Sequence, residues 1–323
     1  MVTVYLDQAK WIDLARALHG RSDGERFRDA LDVARHSVAM GMVEFPLSTG
    51  HYIETWRVGD LSRRRRLAKA MIELSQGRTL ARPPDLCDTE LDALLARTAG
   101  GPVPRPPWPP LGWGFAHASG LTPDFRRSQL DLDHELRHLA QRPDGFEGHG
   151  RGHREFGDRY RDGERQLVAR DYQLPADLDE AVIASSAVLE IHENVAGALE
   201  RAGLPAEVLG PIGRARPDLP REQIHEVVNG LLPVARAFIA ELPTREAALR
   251  LRLQRHKNPN ARWESNDMVD IAYLACAVVH CDIVATEKQW VHELRQSGLL
   301  EDHGTHALND IATLPEVLVE LVR

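Results

Sequence analysis

Cysteine, lysine and long apolar runs are all scarce in this sequence, and the first and last of these scarcities each remove a class of protein. The only cysteines are Cys87, Cys276 and Cys281. An odd count with no CxxC pair excludes a disulfide framework and a cysteine zinc site, and it suits a reducing compartment. No stretch of roughly 18 or more apolar residues occurs, so no transmembrane helix is expected. The opening MVTVYLDQAK also lacks the basic-then-apolar pattern of a signal peptide. The expectation is a cytoplasmic protein with no membrane partner. Among the 40 basic residues only Lys10, Lys69, Lys257 and Lys288 are lysines, a skew that fits a GC-rich genome better than a function. The net charge of -8 offers nucleic acid no global attraction, so any such binding must use a local basic patch.

What is present is an ordinary globular composition, 43% hydrophobic and 27% charged over 323 residues, enough for one elaborated domain or two. VTVYL, residues 2–6, reads as a short buried strand ending at Asp7, followed by a helix that stops at Gly20. Phe27, Leu31, Ala34 and Val38 recur at helical spacing and predict one helix over 23–40. MVEFPLS (42–48) reads as a second strand with an irregular far end at Pro46, after which Ser48 or Thr49 caps a helix carrying Tyr52, Glu54 and Trp56. A further helix is expected over about 61–77. GGPVPRPPWPPLGWG (100–114) reads as a connector outside any compact sheet, and 115–241 as mostly helical.

The tail returns to alternating elements. A helix near 244–256 precedes NDMVDIAYLACAVVHCDIVATEK (266–288), whose first half suits a helix and whose second half, 282–286, suits a buried parallel strand. A helix over 288–297, a strand near THAL and a last helix from Thr313 follow. Strands alternating with helices imply a parallel sheet. The expectation is therefore an α/β fold built from residues 1–80 and 243–323, with a mainly α-helical insertion over 81–242.

In such a sheet, sites form beyond the carboxyl ends of the strands. Asp7 and Glu287 follow strands there, Glu54 sits on the helix after the second strand, and Asp267 and Asp270 share one face of a helix start. Asp267 can equally be a helix-start acid, with Asn266 competing as the cap. Four carboxylates within about 5 Å would repel by roughly 3 kcal/mol per pair at an effective dielectric near 20. Basic partners, protonation or divalent cations must relieve that, and oxygen donors of this kind suit Mg²⁺ or Mn²⁺.

These stretches resemble a known family, the PIN-like nucleases. VYLDQAKWIDLA is similar to the family's first strand with its acid, LSTGHYIET to the helix with its second acid, and NDMVDIAYLACAVVHCDIVATEKQW to its Asp before an Ala-rich helix and a strand ending in Thr plus an acid. The resemblance covers about 1–75 and 243–323. It implies a PIN-like α/β fold and a metal-dependent endoribonuclease. Asp7, Glu54, Asp270 and Glu287 would be the catalytic residues and would ligate Mg²⁺ or Mn²⁺ together with Asp267, and Thr286 would support them. Glu287 directly follows Thr286, where many members have Asp one residue later, and the large insertion is unlike the compact members. A catalytically silent PIN-like scaffold that binds RNA or protein is the second reading.

Two basic groups are candidates for phosphate contact. Arg250, Arg252, Arg255, Lys257 and Arg262 lie just upstream of Asp267 and are the expected nucleic-acid-binding set, with RNA as substrate, DNA as the alternative, and a protein partner for the insertion. Arg63 to Arg66 form the other group. HELRH, His134 to His138, matches the short HExxH zinc-protease pattern, but Arg137 puts a cation between the histidines and no recognised third-ligand spacing follows.

Overall fold

The computed structural model describes residues 1–98, 108–121, 237, 239–257, 264 and 266–321. Arg262, HELRH and most of the expected helical insertion lie outside these. Strand β1 (Val2–Leu6) leads into helix α1 (Gln8–Leu18), then a 3-10 turn (Ser22–Phe27) and α2 (Arg28–Ala39). β2 (Val43–Glu44), α3 (Thr49–Arg57) and α4 (Leu61–Ser75) follow. Next come β3 (Arg78–Leu80), α5 (Pro83–Thr98), β4 (Leu111–Trp113) and α6 (Gly114–Ala118). The tail supplies α7 (Pro243–Lys257), α8 (Asp267–His280), β5 (Ile283–Ala285) and α9 (Lys288–Gln296). It ends with α10 (Leu299–His303), β6 (His306–Leu308), a 3-10 turn (Ile311–Thr313) and α11 (Leu314–Leu321).

Both ends of the chain build one parallel sheet of order β2-β1-β5-β6. Side-chain alternation divides it into two cores. Val4 and Leu6 of β1, with Ile283 and Ala285 of β5, face Trp11, Leu14, Leu67, Met71 and Leu314. Tyr5 and Val284 face the other way, onto Leu86, Leu251, Ile271, Leu274 and Trp290. The sheet is thus covered on both faces, as parallel sheets require. Among the described residues no helix is long and apolar enough to cross a membrane.

Two expectations change. The helix foreseen over 23–40 is a 3-10 turn followed by α2. Gly24 explains the break: a Cβ there would collide with the Arg16 carbonyl carbon and the Ala17 nitrogen, so the chain must press onto α1 before α2 can begin. The end of the proline-rich connector also belongs to a sheet, because β4 pairs antiparallel with β3. That small sheet hooks onto the chain after β2, with the Leu47 N–H donating to Arg78 and the Leu80 N–H to Leu47. Pro46 ends β2 after two residues, as its missing N–H dictates.

Candidate functional site

The sheet order reverses direction at β1. From β1 the chain moves outward to β2, then returns across β1 to β5. Such a switch point leaves a crevice at the carboxyl ends of the two central strands. Asp7 and Thr286 are the first residues beyond β1 and β5, and backbone pairing continues past both ends, Asp7 N–H to Ala285 and Thr286 N–H to Leu308.

Asp7 is the N-cap of α1, yet its side chain makes no capping hydrogen bond. Its Oδ2 instead accepts the Thr286 hydroxyl at 2.8 Å. Glu54 arrives on α3, whose start is pinned by His51. The His51 Nδ1 accepts the Ser48 N–H at 2.8 Å and its Nε2 meets the Leu6 carbonyl at 2.7 Å. The neutral ring protonated on Nε2 satisfies both contacts, and burial lowers the His51 pKa to about 4. One turn further along α3, Glu54 reaches the crevice beside β1. Asp270 comes from the first turn of α8, on the opposite face of the sheet. Asp7, Gln8, Glu54, Asp270 and Tyr273 share the lining of this cleft. Gly50 lets α3 pass close to Tyr273, where a Cβ would stand 3.1 Å from the ring.

The electrostatics are those of crowded acids. Burial, then the charge of Asp7, then that of Glu287, raise the Glu54 pKa to about 7, against a lowering by Arg57. Burial first, then Asp7, Glu54, Asp267 and Glu287, raise that of Asp270 to about 8. Asp7, Glu54, Asp270 and Glu287 therefore form one interacting group. Glu287 caps α9 without a side-chain capping bond and is exposed. Among the described residues no three His, Cys, Asp or Glu side chains close into a metal cage. The donor chemistry nevertheless fits a hard cation: carboxylate oxygens that resist ionising together, beside a buried Gln8 Oε1 with no hydrogen-bond partner among the described residues.

Asp267 stands apart from this group. Its Oδ2 accepts from Arg255 Nε at 3.0 Å, Arg255 Nη2 at 2.8 Å and the Glu264 N–H at 2.8 Å. Both side chains are buried, at 4% and 6% exposure. Asp267 acts on the acids through its charge, and Arg255 holds α7 to α8, so it is turned inward where a phosphate-gripping side chain would face outward. Arg250 is likewise engaged, with Asp302 at 2.6 Å and the Ser297 carbonyl. Arg252 lines a separate cleft with Arg82 and Tyr273, and Lys257 is exposed at the end of α7.

Sequence reasoning assigned no role to His51, Gln8 or Tyr273. The only available signal for His51 was its position three residues after Ser48, a capping-box spacing with His in place of the usual Glu. No family model matches the chain, and no curated protein or solved structure matches it either.

Proposed function

We propose that the chain is a metal-dependent endoribonuclease with a PIN-like core, in which Asp7, Glu54, Asp270 and Glu287 hold Mg²⁺ or Mn²⁺ and cleave phosphodiester bonds. The observation that supports the reading is that Asp7, Glu54 and Asp270, from both ends of the chain and both faces of the sheet, line one cleft at the switch point of a parallel sheet, with the charge of Glu287 felt there. A divalent cation bound there supplies Lewis acidity to the phosphate and lowers the pKa of a nearby water.

The chain's own residues supply the geometry. Thr286 fixes the rotamer of Asp7 through its hydroxyl. His51 fixes the start of α3, and with it Glu54. The Arg255–Asp267 pair fixes the start of α8, and with it Asp270. Three separate anchors on three acids amount to a preorganised site, which is where phosphoryl chemistry gains most of its rate.

The test is cleavage of a single-stranded RNA in Mg²⁺ or Mn²⁺, with EDTA and Asp270→Asn as controls and single-stranded DNA alongside. Cation-dependent RNA cleavage that is lost in Asp270→Asn is the expected result. RNA binding without cleavage in either cation would assign the silent scaffold instead.

A further inference from the structure

A second charged cleft lies away from the acids, between the outer faces of α1 and α4. It has a volume of about 220 Å³ and is lined by Ile12, Ala15, Arg16, Arg21, Arg63, Arg66 and Leu67. Four arginines around so small a space would repel one another unless anions lay between them. Two are balanced: Arg16 pairs with Asp13 at 3.0 Å and Asp23 at 3.4 Å, and Arg21 with Asp23 at 2.8 Å. Arg63 and Arg66 make no ion pair among the described residues. Arg66 donates to the Ser62 hydroxyl at 2.6 Å, whereas the Arg63 side chain is exposed. The cleft therefore carries an excess of two positive charges in guanidinium form, the group whose planar fork matches phosphate oxygens.

We propose that this cleft binds a backbone phosphate of the same RNA whose scissile bond lies at the acids, an inference that rests on the nuclease reading above. Helix α1 connects the two places. Asp7 stands at its N-terminal boundary, and at 1.5 Å per residue Ile12 and Arg16 lie about 7 and 13 Å further along it. At about 3.4 Å per phosphate in a stacked strand, that separation corresponds to roughly two to four phosphates. The site acts on substrates long enough to reach it and leaves the chemistry at the acids untouched. It also supplies the local basic patch that a chain of net charge -8 requires for any grip on RNA.

The test is Arg63→Ala/Arg66→Ala in the full chain, leaving the buried Arg64 in place. A thermal melt checks folding, and Arg63→Lys/Arg66→Lys is the charge-conserving control. Binding of a labelled twelve-nucleotide RNA is followed by anisotropy in EDTA across a salt series. Cleavage is measured on the same RNA and on a dinucleotide. The expected results are a roughly tenfold weaker Kd and a log-log salt slope shallower by about 0.7, the change for one phosphate no longer neutralised on a single strand. KM should rise about tenfold for the long RNA alone, kcat should stay unchanged for both, and the lysine control should retain most of the binding. Unchanged Kd and slope in the alanine variant overturn the inference. So does binding of inorganic tripolyphosphate that is lost in the variant while RNA affinity is kept, since the cleft then serves a small free anion. A parent protein that binds RNA without cutting it overturns the nuclease reading alone, and the anisotropy comparison still decides the cleft. A parent that neither binds nor cuts RNA overturns both.

Discussion

Thr286 and Asp7 stand 279 positions apart in the sequence and are joined by one hydrogen bond, 2.8 Å from the Thr286 hydroxyl to Asp7 Oδ2. It ties the ends of β1 and β5 across the switch point and withdraws Asp7 from the capping role its position at the start of α1 invites. The carboxylate is thereby aimed at the crevice.

Thr286→Val removes the donor while keeping the shape of a side chain that is fully buried. A hydrogen bond to a charged group is worth about 1.5–3 kcal/mol, and removing such an orienting partner typically costs a metal site about 10–100-fold in affinity. We expect a folded variant with a modestly lower Tm and Mn²⁺ binding weakened by about that factor, measured by calorimetric titration. Parent-like Mn²⁺ affinity would mean that Asp7 is oriented by something else.

Asp270→Asn should keep the fold and lose cleavage by about 10²-fold or more. The amide matches the carboxylate in shape and removes one of the crowded charges, so the metal-free variant should melt at or above the parent at pH 8. A variant that cleaves RNA as fast as the parent in Mg²⁺ or Mn²⁺ would remove Asp270 from the reaction. A variant that melts well below the parent would contradict the charge crowding.

The strands that frame this site were legible because β1 and β5 are short apolar runs, each followed by an acid-bearing turn. Asp7, Glu54, Asp270 and Glu287 could be singled out for the same reason: their positions relative to such runs follow from strand and helix geometry. The pairing of β3 with β4 was not legible, since three residues are too few to show a period and the second strand lies behind a run of prolines. Nor could the sequence separate Arg255 from its neighbours. Which arginine of an arginine-rich helix turns inward depends on the tertiary position of Asp267, and local spacing does not encode that.

The raised pKa values of Glu54, about 7, and Asp270, about 8, make stability depend on pH. Both lie above the ordinary carboxylate values of an unfolded chain, so between about pH 4 and pH 8 the folded state holds protons that the unfolded state has released. Stability is then highest below the unfolded pKa and falls as pH rises through the folded values, by at most about 1.4 kcal/mol per pH unit for each group. The Tm of the metal-free protein should therefore drop between pH 5.5 and 8.5, and Asp270→Asn should flatten that drop. If Mg²⁺ or Mn²⁺ binds the ionised acids as proposed, it should raise Tm more at pH 8.5 than at 5.5. A Tm that climbs over this range without metal would refute the coupling.

Arg255 separates a structural arginine from a substrate-binding one. If it gripped phosphate, Arg255→Ala would weaken RNA binding and leave stability nearly unchanged. Its guanidinium is instead buried on Asp267 Oδ2 and lies 5.7 Å from the Trp290 ring. Removing one partner of such a pair strands the other charge in the interior, at a cost of about 3–5 kcal/mol. Replacing both with apolar residues of similar volume is often neutral. Arg255→Ala should therefore lower Tm sharply, and Arg255→Met/Asp267→Leu should recover much of the loss. Because the pair also sets the start of α8, the double variant should still lose part of its cleavage rate through Asp270, while its RNA affinity in EDTA stays within about twofold of the parent. The decisive comparison is Arg255→Ala against Arg63→Ala/Arg66→Ala. The first should change the melt with little change in salt slope, and the second should change the slope with little change in the melt. An Arg255→Ala protein that melts like the parent but has a flattened salt slope would return Arg255 to the RNA-binding set.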